Sequence, residues 1–259
     1  ARNKCAEVEV IAEDSTRSRP EFITRLFQTA VTAGARWFTL ADTVGYATPE
    51  DIKMYFGALR GADIGSAQVT FGIHCHDDLG LATINTIAGL EAGATQAHCT
   101  INGIGERAGN AALEEIVMAL TVRGDRFPFT HRLDTTRLWP ISRLVSNVTN
   151  FLIPPNKSIV GANAFAHGAG LHQDGMLKDT NMYEIMNPAL VGAPGRTLPI
   201  TRHSGRKGLT ARLAELNIPV EAGSIDSLYA TIQEILGSQK VLTDAELLRA
   251  VTAMGKQAS

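Results

Sequence analysis

The first half of the chain alternates between short apolar runs and longer segments whose apolar residues recur with helical spacing. The apolar runs are rich in β-branched and aromatic residues and cover Val8–Ile11, Trp37–Leu40, Val69–Ile73 and Gln96–Ile101. The segments after them predict helices over about Pro20–Ala33, Pro49–Leu59, Leu81–Ala92 and Ala108–Val122. A strand, a loop and a helix repeating about every 30 residues form βαβ units, and continuous apolar strands are typical of parallel sheets. The pattern therefore predicts an α/β fold with four parallel strands.

Four such units are half of an eight-stranded barrel, although four parallel strands can also form a small doubly wound sheet. No GxGxxG fingerprint follows the first strand, which disfavours the doubly wound alternative. The Gly103–Gly109 run follows the last strand, but its glycine spacing is wrong for a dinucleotide loop. Chemistry collects at the carboxyl ends of parallel strands. Polar clusters lie there at Asp42-Thr43, His74–Asp78 and Asn102.

The strand and helix repeat stops in the second half of the chain. One long helix is predicted over Leu133–Asn150, and two amphipathic helices close the chain at about Ser224–Leu236 and Thr243–Met254. The last of these begins with the pattern of a capping box. We therefore predict a partial barrel domain over residues 1–150 and small helical linker subdomains over residues 151–259.

Composition and charge narrow the class of protein. Of the 259 residues, 44% are hydrophobic and 19% are charged, and the formal net charge is −2. This composition supports a sizeable hydrophobic core. A net negative charge provides no excess of basic residues that would attract nucleic acid. No apolar run reaches the roughly 18–20 residues of a membrane span, and the N-terminus lacks the apolar stretch of a signal peptide. We expect a globular, cytoplasmic protein with no nucleic-acid or membrane partner.

Cysteine usage agrees with a reducing compartment. The chain has three cysteines, Cys5, Cys75 and Cys99, with no CxxC pair. They are too few and too scattered for a disulfide framework. We expect each thiol to be a small buried hydrophobic group.

Two histidines end the third predicted strand. Residues i and i+2 of a strand share a face, so His74 and His76 point together and Cys75 points away. Two imidazoles on one face suit a divalent metal, with further ligands from elsewhere. The alternative is a pair of hydrogen-bonded polar residues at a strand end.

A glycine-rich loop, Asn102–Asn110, follows the fourth strand. Its glycines allow a ligand to approach the backbone closely or allow positive φ angles. Glu106 and Arg107 can pair with each other or with a substrate, and either asparagine can offer an amide oxygen to a metal. The spacing does not choose between Asn102 and Asn110. The alternative interpretation is a tight turn with a surface ion pair.

Three further segments carry candidate chemistry. His167 and His172 lie in a glycine-flanked stretch, where a histidine can act as a general acid or base or can cap a helix. Ser204–Gly208 can bind an anion at a helix N-terminus or serve only as a basic cap. Tyr183 is of a type usually found in a core or an interface.

Taken together, the motifs resemble the 2-isopropylmalate synthase and homocitrate synthase family of metal-dependent condensing enzymes. The matching stretches are Ala41–Pro49, Gly72–Gly80, Thr100–Asn110, Pro155–His167 and Leu171–Lys178. The resemblance covers nearly the whole chain. It implies a TIM barrel with a metal at the carboxyl face of the strands. It also implies a homodimer whose helical subdomains reach the partner's active site.

The resemblance also implies roles for particular residues. His74, His76 and Asn110 match the metal ligands, and Thr43 matches a threonine that contacts the carboxylate of a 2-oxo acid. The acetyl-CoA loop would include Gly103, Gly105, Glu106 and Arg107. The catalytic residues would be Glu9, His172 and Tyr183, the last contributed by a partner subunit.

The implied reaction condenses acetyl-CoA with 2-oxoisovalerate to 2-isopropylmalate and CoA, a step of leucine biosynthesis. The implied cofactor is Mn²⁺, Mg²⁺ or Zn²⁺, with K⁺ as an activator. Pyruvate and 2-oxoglutarate, the substrates of citramalate and homocitrate synthases, are alternatives, and a non-catalytic fragment that mediates dimerisation is another class. No stretch matches the Arg-Asp-Gly segment of the family's first barrel strands. We therefore expect these 259 residues alone to show no turnover.

Overall fold

The computed structural model describes residues 1, 3–167, 182, 184–197, 199–238 and 240–257. The chain divides into two compact units, Ala1–Ile153 and Pro154–Ser259. Among the residues so described, no helix combines the length and the apolar character that crossing a membrane requires.

The first unit is a four-stranded sheet whose strands alternate with helices along the chain. The strands are β1 (Glu9–Ala12), β2 (Trp37–Asp42), β3 (Thr70–Cys75) and β4 (Gln96–His98). The helices are α1 (Pro20–Thr32), α2 (Pro49–Arg60), α3 (Ala82–Ala92), α4 (Leu113–Val122) and α5 (Leu138–Thr149). The strands lie in chain order and every neighbouring pair is parallel, so the predicted parallel sheet is confirmed.

One face of the sheet packs against the helices. The ring of Phe27 on α1 lies 5.1 Å from that of Phe38 on β2 and 5.2 Å from that of Phe71 on β3, measured between centroids. Leu40 and Ile73 are fully buried in the same cluster. Because strand side chains alternate between faces, the intervening strand residues lie on the other face, which we call the inner face.

A buried carboxylate shapes the loop between β2 and α2. Asp42 Oδ1 accepts hydrogen bonds from the Thr16 hydroxyl at 2.7 Å and from the Tyr46 N–H at 3.1 Å. Thr48 then caps α2 in a reciprocal pair with Asp51, which explains why the helix begins at the predicted Pro49.

Two predicted helix boundaries were wrong. Helix α4 begins at Leu113 rather than at Ala108, because Gly109 has a φ of 95° and the residues after it pair with strand ends. The predicted helix from Leu133 starts as a 3₁₀ turn and becomes α-helical only at Leu138.

The second unit contains β5 (Ile200–Thr201), β6 (Val241–Leu242), α6 (Arg206–Glu215), α7 (Ile225–Ile235) and α8 (Asp244–Gln257). The two strands form an antiparallel pair. Leucine and isoleucine side chains from these elements form one buried cluster. The predicted capping box of the last helix is confirmed, since Glu246 accepts from the Thr243 N–H at 2.8 Å. Helix α6 begins within Ser204–Gly208, the stretch considered above as a helix N-terminus, but its extent was not predicted from the sequence.

The cysteines differ in environment. Cys75 is fully buried in the core of the first unit, and burial raises the pKa of its thiol to about 12. Cys99 is half-buried, and Cys5 is exposed. The prediction of a buried thiol is therefore wrong for Cys5, which precedes the first strand.

The packing of α1 generates a stability prediction. Phe27→Ala removes a fully buried ring by which α1 packs against β2 and β3, so it should lower the free energy of unfolding by about 3–5 kcal/mol. Phe22 lies on the same helix with 50% of its surface exposed, so Phe22→Ala should change stability by no more than about 0.5 kcal/mol. Urea unfolding of both variants checks this. Equal losses would show that Phe27 is not a core residue.

Candidate active site

Two histidines share the inner face at the carboxyl end of β3. The ring centroids of His74 and His76 are 5.0 Å apart. The side chain of Cys75, which lies between them in the chain, belongs instead to the hydrophobic core on the face of the sheet that packs against the helices. The predicted facing of these three residues is therefore confirmed. Burial, together with the neighbouring His76 and His98, lowers the pKa of His74. His74 is thus neutral near pH 7, the form in which imidazole binds a metal.

Asn110 lies beside His76 because the loop after β4 folds back on β3. The two residues form an antiparallel bridge. On either side, the Asp77 N–H donates to Gly109 O at 2.9 Å and the Ala111 N–H donates to Cys75 O at 3.0 Å. The amide of Asn110 is thereby held next to the imidazole pair.

Two buried polar atoms at this point have no hydrogen-bond partner in the part of the chain that the structure describes. They are His76 Nδ1 and Asn110 Oδ1. A buried polar atom without a partner is costly, and a divalent cation would satisfy both. His74, His76 and Asn110 therefore fit a metal.

The three residues are only part of a ligand set. Among the described residues, no three His, Cys, Asp or Glu side chains are arranged to hold a metal ion. Divalent metals take four to six ligands, so other groups must complete the coordination.

The structure separates the two candidate asparagines. The Asn102 side chain accepts a hydrogen bond from the Ser142 hydroxyl and donates to the Ser142 carbonyl at 3.0 Å. Asn110 Nδ2 donates to Ile104 O at 3.1 Å, which leaves its oxygen for a ligand. Asn102 thus ties α5 to the loop, and of the two asparagines Asn110 is the one that fits a candidate metal ligand.

The loop glycines are needed for this arrangement. A Cβ on Gly105 would lie 2.1 Å from Asn110 Nδ2. Gly103 and Gly109 have φ angles of 70° and 95°, and a Cβ on Gly109 would meet Gly103 O at 2.0 Å. The predicted positive φ is confirmed at Gly103 and Gly109, and all three glycines serve the placement of Asn110.

Arg107 connects three loops at the carboxyl ends of the strands. Its Nε and Nη2 donate to Asp78 Oδ1 and Oδ2 at 2.8 and 3.0 Å, and Nη2 donates to Thr43 O at 2.5 Å. The predicted partner Glu106 lies farther away, at 3.6 Å, with 81% of its side chain exposed. The hydrogen bonds from Arg107 hold the pKa of Asp78 below its usual value.

Thr43 stands in the same loop cluster. Its hydroxyl oxygen accepts from the Asp14 N–H at 2.8 Å. A hydroxyl that accepts one hydrogen bond can still donate its proton to a ligand. Thr43 is therefore suitably placed among the loops to contact a carboxylate.

Glu9 lies on the inner face of β1 and belongs to a network that the sequence analysis missed. Glu9 Oε1 accepts from the Thr39 hydroxyl at 2.5 Å and from Gln96 Nε2 at 3.2 Å. His98 Nε2 lies 3.2 Å from the same oxygen. Strand alternation was the available signal, because Gln96 and His98 share a face of β4.

The remaining candidates lie in the second unit. His167 Nε2 contacts Glu184 Oε1 at 3.1 Å, and Arg196 donates to Glu184 Oε2 at 2.7 Å. Ser204–Gly208 forms the start of α6, where Arg206 pairs with Asp226. His172 and Tyr183 lie outside the described residues.

The contrast between the asparagines generates a metal-binding prediction. Asn110→Ala should weaken Co²⁺ binding by at least about tenfold, whereas Asn102→Ala should leave the affinity unchanged. Gly105→Ala should act in the same direction as Asn110→Ala, since its Cβ displaces the Asn110 amide. Calorimetric titration of the 259-residue chain with Co²⁺ checks this. Wild-type affinity in Asn110→Ala would remove Asn110 from the ligand set.

The Arg107–Asp78 pair generates a pH prediction. A carboxyl with a lowered pKa stabilises the fold above its unfolded value, near 3.8, and that stabilisation disappears as the pH falls through the lowered value. Asp78→Asn should therefore be less stable than the wild type at neutral pH, and the two should converge in acid.

The control is Asp125→Asn, because the Asp125 carboxylate forms its ion pair with Arg123, two residues away in the same turn, and among the described residues it is bonded to no second loop. Urea unfolding across the acid range measures both variants. A neutral-pH stability of Asp78→Asn equal to that of the wild type would contradict the prediction.

Comparison with known proteins identifies relatives over both units. Residues 1–145 match the HMGL-like family, and residues 159–240 match the family described as homocitrate synthase post-HMGL domain-like. A 2-isopropylmalate synthase of Rhodopseudomonas palustris is 46% identical over 247 residues, which are 95% of this chain and 47% of that protein. One of Bradyrhizobium diazoefficiens is 43% identical over 95% of this chain and 48% of its own length.

The chain therefore spans about half the length of the curated relatives it matches. Among solved structures, the carboxyl transferase domain of Rhizobium etli pyruvate carboxylase, crystallised with pyruvate and biocytin, is 25% identical. Its TM-score is 0.46, over 56% of this chain and 24% of that one. The predicted resemblance to 2-isopropylmalate synthases is confirmed, and the parallel sheet is a partial barrel of the TIM type. With 145 of its 259 residues matched, the chain belongs to the HMGL-like family of enzymes.

Proposed function

We propose that this chain forms the carboxyl-terminal half of the catalytic barrel of an acyltransferase, followed by helical subdomains over residues 151–259. The enzyme would condense acetyl-CoA with 2-oxoisovalerate to give 2-isopropylmalate and CoA. The observation that carries the proposal is the pair of orphaned buried atoms, His76 Nδ1 and Asn110 Oδ1, next to His74 at the carboxyl ends of the strands. The names of the relatives support this substrate pair.

His74, His76 and Asn110 would hold the divalent cation, either Mn²⁺, Mg²⁺ or Zn²⁺. When bound, such an ion supplies a Lewis acid for the carbonyl of a 2-oxo acid. The neutral state of His74 suits this role because a protonated imidazole cannot bind a metal.

Thr43 and the loop after β4 would bind the substrates. The Thr43 hydroxyl would donate its proton to the carboxylate of the 2-oxo acid, because its oxygen already accepts from the Asp14 N–H. Gly103, Gly105 and Glu106 lie in the loop that we assign to acetyl-CoA. Arg107 would act there mainly by fastening the loop, since its guanidinium is bonded to Asp78 and to Thr43 O.

Glu9 would move the proton. Its Oε1 is held by neighbouring donors, so its Oε2 would accept a proton from the methyl carbon of acetyl-CoA, acting with His172. The resulting carbanion would add to the 2-oxo carbon, the carbonyl π bond would open to an alkoxide that takes up a proton, and water would then break the thioester C–S bond to release CoA and leave a carboxylate. Tyr183 of a partner subunit would line the same site.

A homodimer fits the surface of α5. This helix exposes Leu144 and Val148, at 60% and 73%, on one side. Exposed apolar side chains at helical spacing are typical of an interface.

Removal of one imidazole tests the proposed function. In the full-length protein, His74→Ala should abolish thiol release from acetyl-CoA with 2-oxoisovalerate, because it removes a direct ligand. His131→Ala is the matched control and should retain wild-type turnover, since the ring of His131 contacts Thr121 on α4 and the Leu133 N–H, neither of which belongs to the candidate site. Near-normal turnover of His74→Ala would refute the metal role, and faster turnover with pyruvate or 2-oxoglutarate would reassign the substrate.

A further inference from the structure

Glu9 reaches across the sheet because one strand residue lacks a side chain. In the register of the sheet, Thr39 on β2, Gly72 on β3 and Gln96 on β4 form one row on the inner face. A Cβ on Gly72 would lie 2.0 Å from Thr39 Oγ1. The gap at Gly72 lets the Glu9 carboxylate contact both Thr39 and Gln96, from strands on either side of β3.

Gln96 can donate two hydrogen bonds at once. Its Nε2 lies 3.2 Å from Glu9 Oε1 and 2.8 Å from His98 Nε2. A side-chain amide nitrogen carries two protons, so Gln96 Nε2 can donate to the Glu9 carboxylate and still contact His98. The reversed amide would place its oxygen against the carboxylate oxygen, which is repulsive.

The chain of contacts continues to the candidate metal ligands. The ring of His98 packs edge-on against that of His74, with centroids 5.7 Å apart. Glu9 is thus connected to His74 through Gln96 and His98. The same contacts occupy one carboxylate oxygen, Oε1, and leave Oε2 without a hydrogen bond among the described residues.

We propose that Thr39 and Gln96 are positioning residues that fix the Glu9 carboxylate, with Oε1 anchored and Oε2 presented as the proton acceptor. This inference rests on the proposed function, in which Glu9 is the base. Two donors from different strands set both the position and the rotation of the carboxylate. A carboxylate that is held in one orientation is aligned more often with the C–H bond from which it removes the proton.

The test uses variants of the full-length protein that remove each donor and retain the shape of the side chain. Thr39→Val and Gln96→Met should lower kcat by about 10- to 100-fold, because a misplaced catalytic group costs that much. The KM for both substrates and the Co²⁺ affinity should remain near the wild-type values. Thr39→Ser restores the hydroxyl and should recover most of kcat.

Glu9→Gln, measured in parallel, separates this inference from the proposed function. Wild-type kcat in Glu9→Gln would overturn Glu9 as the base and with it the proposed role of its neighbours. A loss in Glu9→Gln together with normal kcat in Thr39→Val and Gln96→Met would overturn the positioning alone. In the Glu9→Gln background, Thr39→Val should cause no further loss. A Co²⁺ affinity or thermal stability that falls in parallel with kcat would show a structural role and overturn the inference.

Discussion

The candidate site depends on one backbone constraint, which is the return of the loop after β4 to the end of β3. Parallel strands bring their carboxyl ends to one edge, but they do not by themselves place a loop side chain against a neighbouring strand. The bond from the Ala111 N–H to Cys75 O does this and brings Asn110 next to His76. The left-handed backbone at Gly109 makes the return possible. Without it, the imidazoles would have no amide oxygen beside them.

Apolar runs that recur about every 30 residues were sufficient to predict the parallel strands, and period-two alternation was sufficient to predict the shared face of His74 and His76 and the opposite facing of Cys75. The choice between Asn102 and Asn110 was not available from local spacing. Asn110 is favoured because Ser142, which lies 40 residues from Asn102 in the chain, occupies the amide of Asn102. A partner so distant in sequence becomes visible only after α5 has packed.

The network around Glu9 was missed for a different reason. The candidate residues predicted from the strand pattern were those at the carboxyl ends of the strands, whereas Thr39 lies inside β2 and Gln96 is the first residue of β4. Their proximity depends on the register of three strands and on the gap at Gly72. Alternation places such residues on a face, but it does not give the relative shift of neighbouring strands. The start of α4 was mispredicted for a similar reason, since the residues before Leu113 are apolar enough for a helix but pair with strand ends.

The guanidinium of Arg107 joins three βα loops into one unit. It holds the side chain of Asp78 from one loop and the carbonyl of Thr43 from another, and it belongs to a third. A molecule that drew this cation toward its own phosphates would loosen all three segments together. A disturbance of any one of these loops would then reach the other two through a single side chain.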